Sequence, residues 1–179
     1  MPILQPVLLI CMLVSMAGAQ SNAQRPVANP TNPATSSAAQ KSFEKMKALV
    51  GSWQGTVMGM SINFTIRLAS SGTAILHEGN AAGGPVPDHE ITMFYLDGDR
   101  LLATHYCDAG NRSRMEGKLS PDGKKIDFSF LDVSGGTRRG FLRDIGFTII
   151  DADRHTVELT FIMPDGKPIQ ARGEFQRTK

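Results

Sequence analysis

After Gly51, apolar and polar residues alternate with a period of two in one short run after another. The segments 62–68 and 126–130 show this clearly, with isoleucine, leucine or phenylalanine at every second position. Such a period places the apolar side chains on one face of a strand, so each run predicts a strand with one buried face. Turn sequences such as Asp97-Gly98-Asp99 separate the runs. The pattern excludes a mainly helical fold.

Ten runs of this kind follow one another, and the connections are too short for the crossovers that parallel strands need. The predicted strands cover residues 52–60, 62–70, 73–79, 89–96, 100–107, 112–119, 125–133, 141–150, 154–163 and 167–177. Closure would remove the two unpaired edges of such a sheet. We predict an all-β fold, an antiparallel up-and-down β-barrel of 8–10 strands, with a two-layer sandwich as the alternative.

A single amphipathic helix is predicted before the strands. Ser37 and Gln40 have the spacing of a capping box, and apolar residues follow at helical spacing up to Val50. Gly51 suits the position after a helix end. We therefore expect a short helix over residues 38–50 that caps the barrel.

The N-terminal segment differs in composition from the rest of the chain, with Arg25 as the one charged residue among the first forty. An apolar run over 7–14 leads to Ala17-Gly18-Ala19, the small-x-small pattern of a cleavage site. Residues 1–19 are predicted to be a signal peptide, 20–37 a disordered linker, and 38–179 the barrel domain. An uncleaved membrane anchor is the alternative. We expect a secreted or periplasmic protein without stable membrane insertion.

Charge and motifs exclude several functions. The 19 Lys and Arg residues nearly balance 17 Asp and Glu residues, for a net charge of +2. A nucleic-acid-binding domain normally concentrates positive charge on one face, so no nucleic-acid partner is expected. The sequence has no nucleophile elbow, phosphate-binding loop or dinucleotide fingerprint. No catalytic residue is assigned.

The start of the first strand carries a family resemblance. Gly51 and Trp53 form a G-x-W motif between the helix and the strand, and Gly55 follows. This arrangement resembles the calycin pattern of lipocalins and fatty-acid-binding proteins, including small exported lipocalin-like bacterial proteins. The resemblance implies that Trp53 closes one barrel end beneath an arginine of the last strand, with Arg177 the best match and Arg172 the alternative.

The G-x-W-x-G beginning also resembles the nitrobindin-like barrels, which bind haem. Their motif continues to a third glycine, where this sequence has Val57. The resemblance implies a haem-ligating histidine on a late strand, for which His155 is the candidate. Because His155 begins its strand beside Asp153 and Arg154, we expect it to be exposed. No cofactor is predicted, and haem is kept as an alternative.

One hairpin contains the candidate ligand-binding residues. On a strand, His105 and Cys107 share one face and Tyr106 takes the other. Across the Asp97-Gly98-Asp99 turn, Phe94 falls on the face of His105, and Met93 falls on the face of Tyr106. Both faces are apolar enough to be interior, so all five residues are candidates.

Polar groups near this hairpin admit two interpretations. His105 and Cys107 could bind a soft metal ion, but two ligands do not make a zinc site, so no metal site is predicted. The pairs His77-Glu78 and His89-Glu90 flank the connection between the third and fourth strands. They are interpreted as solvated hairpin ends, with polar groups at a cavity mouth as the alternative.

Small residues at inward positions predict an internal cavity. They are Gly55, Val57, Ala103, Gly117, Ala171 and Gly173. Our hypothesis is an exported lipocalin-like protein that binds a small apolar or amphipathic molecule inside the barrel. The alternatives are a haem-binding nitrobindin-like barrel, a barrel-mouth enzyme that uses His105, and an interaction module without a ligand.

Overall fold

The computed structural model describes residues 36–82 and 88–178. The elements are α1 (Ala38–Lys47), β1 (Gly51–Val57), β2 (Met60–Ala69), β3 (Ala74–Ala82), β4 (Asp88–Asp97), β5 (Arg100–Tyr106), β6 (Asn111–Leu119), β7 (Lys125–Gly135), β8 (Phe141–Ile149), β9 (Arg154–Ile162) and β10 (Pro168–Arg177). The predicted signal peptide and nearly all of the predicted linker lie outside these residues. Within the two described ranges, no helix has the length and apolar character needed to cross a membrane.

The ten strands form a closed antiparallel barrel in which each strand pairs with its neighbours along the chain. The first and last strands close it, with Trp53 paired with Arg177 and Val57 paired with Gly173. The predicted fold class is confirmed, and each predicted strand boundary falls within three residues of the observed one. Closure pairs the edges that a sandwich would leave open.

The helix covers one end of the barrel. The Ser37 hydroxyl accepts a hydrogen bond from the Gln40 backbone N–H at 3.1 Å, but the Gln40 side chain donates to Glu44 instead of reaching back. The helix ends at Lys47, earlier than predicted, because the amides of residues 48–50 bond to carbonyls three residues before them. Its buried residues are Ala39, Ser42, Phe43 and Met46.

Large aromatic side chains fill the space beside several small residues. Phe94, Phe128 and Phe147 pack with ring centroids 5.0–6.3 Å apart. A Cβ added at Gly117 would lie 2.5 Å from the Phe128 ring, and one at Gly55 would lie 2.6 Å from the Phe175 ring. Small residues on one strand therefore accommodate rings from the next strand, as is common inside small barrels.

We expect Gly117→Ala to lower the free energy of unfolding by about 1–3 kcal/mol. The alanine methyl group would clash with the Phe128 ring. Because Phe128 is 1% exposed, its ring has no solvent-filled space into which it can move. Urea denaturation measures the change. Gly79→Ala is the control, because its Cβ would meet its nearest neighbour at an ordinary 3.5 Å. Equal losses in the two variants would contradict the packing argument.

Candidate functional site

The barrel contains a cavity of about 290 Å³ that lies toward the β1–β2 turn, away from α1. Its wall comes from strands β1–β5 and β8–β10. The apolar part of the wall consists of Val57, Met58, Met60, Ile62, Phe64, Phe94, Leu142, Ile145, Phe147, Val157, Leu159, Phe161, Ala171 and Phe175. Of the six small residues that predicted a cavity, only Val57 and Ala171 line it.

One side of the wall is polar, and we call this the polar patch: His77, Glu90, Thr92 and His105. The Thr92 hydroxyl oxygen lies 2.9 Å from Nδ1 of His105. On the other side of the same ring, Nε2 lies 3.7 Å from a carboxylate oxygen of Glu90. His105 is 3% exposed, so the ring is enclosed between these two groups.

The β4–β5 hairpin places these side chains together. Its register pairs Thr92 with His105, and Ile91 with Tyr106, following from the turn between Asp97 and Arg100. Every second residue of each strand then faces the interior. Thr92 and His105 consequently share the inner surface with Glu90, one step further along β4.

Cys107 follows β5 in a tight turn beside the polar patch. Its backbone N–H donates to the Asn111 carbonyl at 3.1 Å, and its carbonyl accepts from the Gly110 N–H at 3.0 Å. The thiol donates to Oε1 of Glu90 at 3.3 Å. Glu90, His105 and Cys107 each bring one potential ligand atom within 4.8 Å of the other two.

Burial shapes the charge states in this region. Burial raises the pKa of the Cys107 thiol to about 12, and the neighbouring Glu90 carboxylate adds to the increase. Burial opposes ionisation of Glu90, but the attraction of His105 and the Cys107 thiol outweighs it and holds the carboxyl pKa below its ordinary value. Burial, with the charge of His105, lowers the pKa of His77 to about 4. Near neutral pH the carboxylate is ionised and His77 is neutral.

The structure separates the five candidate ligand-binding residues. Phe94 and His105 line the cavity, and Cys107 lies beside it against Glu90. Met93 and Tyr106 do not line it, and Tyr106 is 45% exposed. These two residues were expected to be interior and are not. The strand face that carries Phe94 packs against the aromatic core, so the opposite face points outward.

Two residues of the cavity wall agree with the alternative interpretation, polar groups at a cavity mouth, and not with the first one. His77 and Glu90 line the cavity instead of forming solvated hairpin ends. Only the outer members of the two pairs behave as expected, since the side chain of His89 is 57% exposed and Glu78 pairs with Arg67 at 3.2 Å. The signal that could have revealed Glu90 is the hairpin register, which places it on the same face as His105.

Trp53 and Arg177 lie at the barrel end covered by α1. The indole is 1% exposed, donates to the Leu49 carbonyl at 2.8 Å, and has the Arg177 guanidinium 4.2 Å from its ring centroid. Arg172 pairs instead with Glu158 on the outer face. Gly51 has a φ of 148°, and a Cβ there would lie 2.1 Å from Nη1 of Arg177. The glycine of the G-x-W motif therefore leaves room for the arginine that covers the tryptophan.

The expected exposure of His155 is wrong. Its side chain is fully buried, with its ring 4.2 Å from that of Trp53 and 5.7 Å from that of Phe175. Inward alternation along β9 buries it despite the charged residues before it. Within residues 36–82 and 88–178, neither ring nitrogen has a hydrogen-bond partner, and His155 does not line the cavity. Burial and the Arg177 charge lower its pKa to about 4.

No protein-family model matches the chain, and no curated protein matches it. One matching solved structure is that of a protein of unknown function from the DUF3598 family of Nostoc punctiforme PCC 73102. The two chains are 7% identical with a TM-score of 0.22, and the match covers 76% of this chain and 99% of that one. A score this low supports no inference about function.

Proposed function

We propose that the protein is an exported lipocalin-like barrel that binds a small, largely apolar molecule bearing one polar group. The observation that carries the proposal is the apolar cavity of about 290 Å³ with a single polar side. Ligand pockets typically combine apolar walls with a few convergent polar groups. Export is proposed from the apolar run over 7–14 and the Ala17-Gly18-Ala19 pattern.

The volume favours a compact ligand. Known pockets for small molecules span about 300–1,000 Å³, so this cavity stands at the lower limit of that range. A one- or two-ring molecule suits such a space better than an extended acyl chain. Burial of its apolar surface contributes about 25 cal/mol per Å² to binding, before the costs of association.

The polar patch favours a ligand that donates a hydrogen bond. The ionised Glu90 carboxylate is an acceptor and repels an anion, so an alcohol or amine fits this side better than a carboxylic acid. His155 does not line the cavity, and for that reason the proposal does not extend to haem.

The proposal is tested with 2-naphthol, a two-ring phenol whose hydroxyl group donates a hydrogen bond, and with 2-naphthoate as its anionic counterpart. We expect saturable 1:1 binding of 2-naphthol by calorimetry, and binding of 2-naphthoate that is weaker by about tenfold or more, equivalent to about 1.4 kcal/mol. Gly79→Leu should also weaken 2-naphthol binding by at least about tenfold. Gly79 lines the cavity, and its nearest neighbours leave space for a Cβ, so the longer side chain extends into the cavity.

Thr65→Leu is the matched control. It adds an apolar side chain to the exposed face of β2 and should leave 2-naphthol binding unchanged. Equal losses in the two variants would argue against binding inside the cavity. If neither naphthalene compound binds to the unaltered protein at millimolar concentration, the interaction module without a ligand becomes the better interpretation.

A further inference from the structure

The polar patch and Cys107 bring together three different metal-binding groups. They are the carboxylate of Glu90, the imidazole of His105 and the thiol of Cys107. Oε1 of Glu90 lies 3.3 Å from the sulfur and 3.7 Å from Nε2 of His105. Zinc bonds of about 2.0–2.3 Å in tetrahedral arrangement separate neighbouring ligand atoms by roughly 3.4–3.6 Å. These two distances lie within about 0.1 Å of the range that a shared zinc ion requires, and the sulfur lies within 4.8 Å of a ring nitrogen of His105.

His105 supplies independent evidence for a ligand at this point. The side chain is buried, and its Nε2 atom points toward Glu90 but has no hydrogen-bond partner among the described residues. A buried nitrogen without a partner costs free energy that a bound ion would recover. Its other nitrogen, Nδ1, is within hydrogen-bonding distance of the Thr92 hydroxyl at 2.9 Å. Metal-ligating histidines commonly have their second nitrogen held in this way.

The backbone also holds the sulfur in place. The turn that follows Cys107 is closed by its two hydrogen bonds with Gly110 and Asn111. The Asn111 side chain is 1% exposed and donates to the carbonyls of Gly136 and Gly140. Cys107 is thus fixed beside the strand that carries Glu90.

We propose that Glu90, His105 and Cys107 bind a divalent transition-metal ion, with Zn²⁺ as the best match. Mixed nitrogen, sulfur and oxygen donors suit zinc better than the hard cations Mg²⁺ and Ca²⁺, which take oxygen ligands. Three protein ligands leave a fourth position for water or for a polar ligand group. Glu90 and His105 line the cavity, so that position opens toward it.

Binding releases a proton in a balanced exchange. In the metal-free protein the Cys107 sulfur carries a proton, which it donates to Glu90. When the metal–sulfur bond forms, the thiol proton leaves to the buffer and the thiolate becomes the ligand. The exchange involves no oxidant, because neither the sulfur nor the zinc changes oxidation state.

Cobalt titration of the purified, untagged protein under reducing conditions tests the site. Co²⁺ replaces Zn²⁺ as a coloured probe, and a thiolate ligand produces a charge-transfer absorption band. We expect this band to saturate at one equivalent and to disappear when Zn²⁺ is added. Cys107→Ala should abolish it and weaken Zn²⁺ binding by more than about 100-fold, and Thr92→Val should weaken binding by about 10–100-fold.

Glu90→Gln should weaken Zn²⁺ binding, whereas Glu78→Gln is the matched control and should not, since Glu78 pairs with Arg67 on the outer face. Circular dichroism verifies that each variant is folded. Absence of the cobalt band from the unaltered protein would overturn the proposal, as would unchanged affinity in Cys107→Ala. Metal titrations are made without naphthol, and naphthol titrations with a chelator, so failure of this proposal is distinguishable from failure of the cavity proposal.

Discussion

Replacing Trp53 with alanine is expected to lower the free energy of unfolding by about 3–5 kcal/mol, the usual cost of truncating a buried aromatic side chain. The indole is almost completely buried, and its N–H group donates to the Leu49 carbonyl. Alanine would leave a void at the barrel end and would remove the partner of that carbonyl. Urea denaturation measures the loss.

Arg177→Ala should cost less, about 1–3 kcal/mol. The guanidinium stacks on Trp53 and donates to the carbonyls of Ala48, Val50 and Ala152, but its side chain remains 26% exposed. Removing it should also shift the indole emission. Arg172→Ala is the control on the outer face and should change stability by less than about 0.5 kcal/mol. A larger loss for Arg172 than for Arg177, or ready quenching of Trp53 by acrylamide, would contradict this account.

The second large effect is expected in acid. His155 has a pKa of about 4 in the folded protein, because burial and the Arg177 charge disfavour its protonated form. The ordinary histidine pKa, which applies to the unfolded chain, is about 6.5. Between these values the unfolded chain binds more protons than the folded one. The contribution of neutral His155 to the free energy of unfolding is therefore fully present above pH 6.5. It is lost as pH falls toward 4, by about 3 kcal/mol in total.

His155→Phe should remove this part of the pH dependence. In the part of the chain that the structure describes, neither nitrogen of the native ring has a partner, so a phenyl ring leaves no new polar group unsatisfied. We expect the difference in stability between the variant and the unaltered protein to grow in favour of the variant from pH 7 to pH 4. His77 is present in both proteins and cancels in the comparison. A constant difference across this range would refute the burial of a neutral His155.

The strands could be predicted because their determinants are local. Alternation and turn residues define each strand within a few positions, and short connections determine the antiparallel order. Local sequence patterns could not identify which face of the β4–β5 hairpin points into the barrel. Phe94 on one face is fully buried, but Leu102 on the other is only 4% exposed, so hydrophobicity alone does not separate the two faces. Which face points inward depends on packing against Phe128 and Phe147, which lie on other strands, β7 and β8.

Part of the candidate site could be predicted from the sequence. A turn centred between Gly98 and Asp99 pairs Thr92 with His105, and one further step along the same face places Glu90 next to Cys107. The predicted strands 89–96 and 100–107 already contain both residues, so applying this register to them would have found the third ligand group. The burial of His155 could not be predicted, because its charged neighbours suggest exposure. Only the closed barrel shows that its ring points inward.

The contact of Arg177 with Val50 has a consequence for how the chain folds. It joins residues 127 positions apart, and the pairing of β1 with β10 spans nearly the same distance. Closing so long a loop costs entropy before it gains any contact, and topologies of high contact order fold slowly. The barrel cannot close during synthesis until its last strand is available. Until then β1 has an unpaired edge and Arg177 does not cover Trp53. These two features make the growing chain prone to aggregation until its final residues are made.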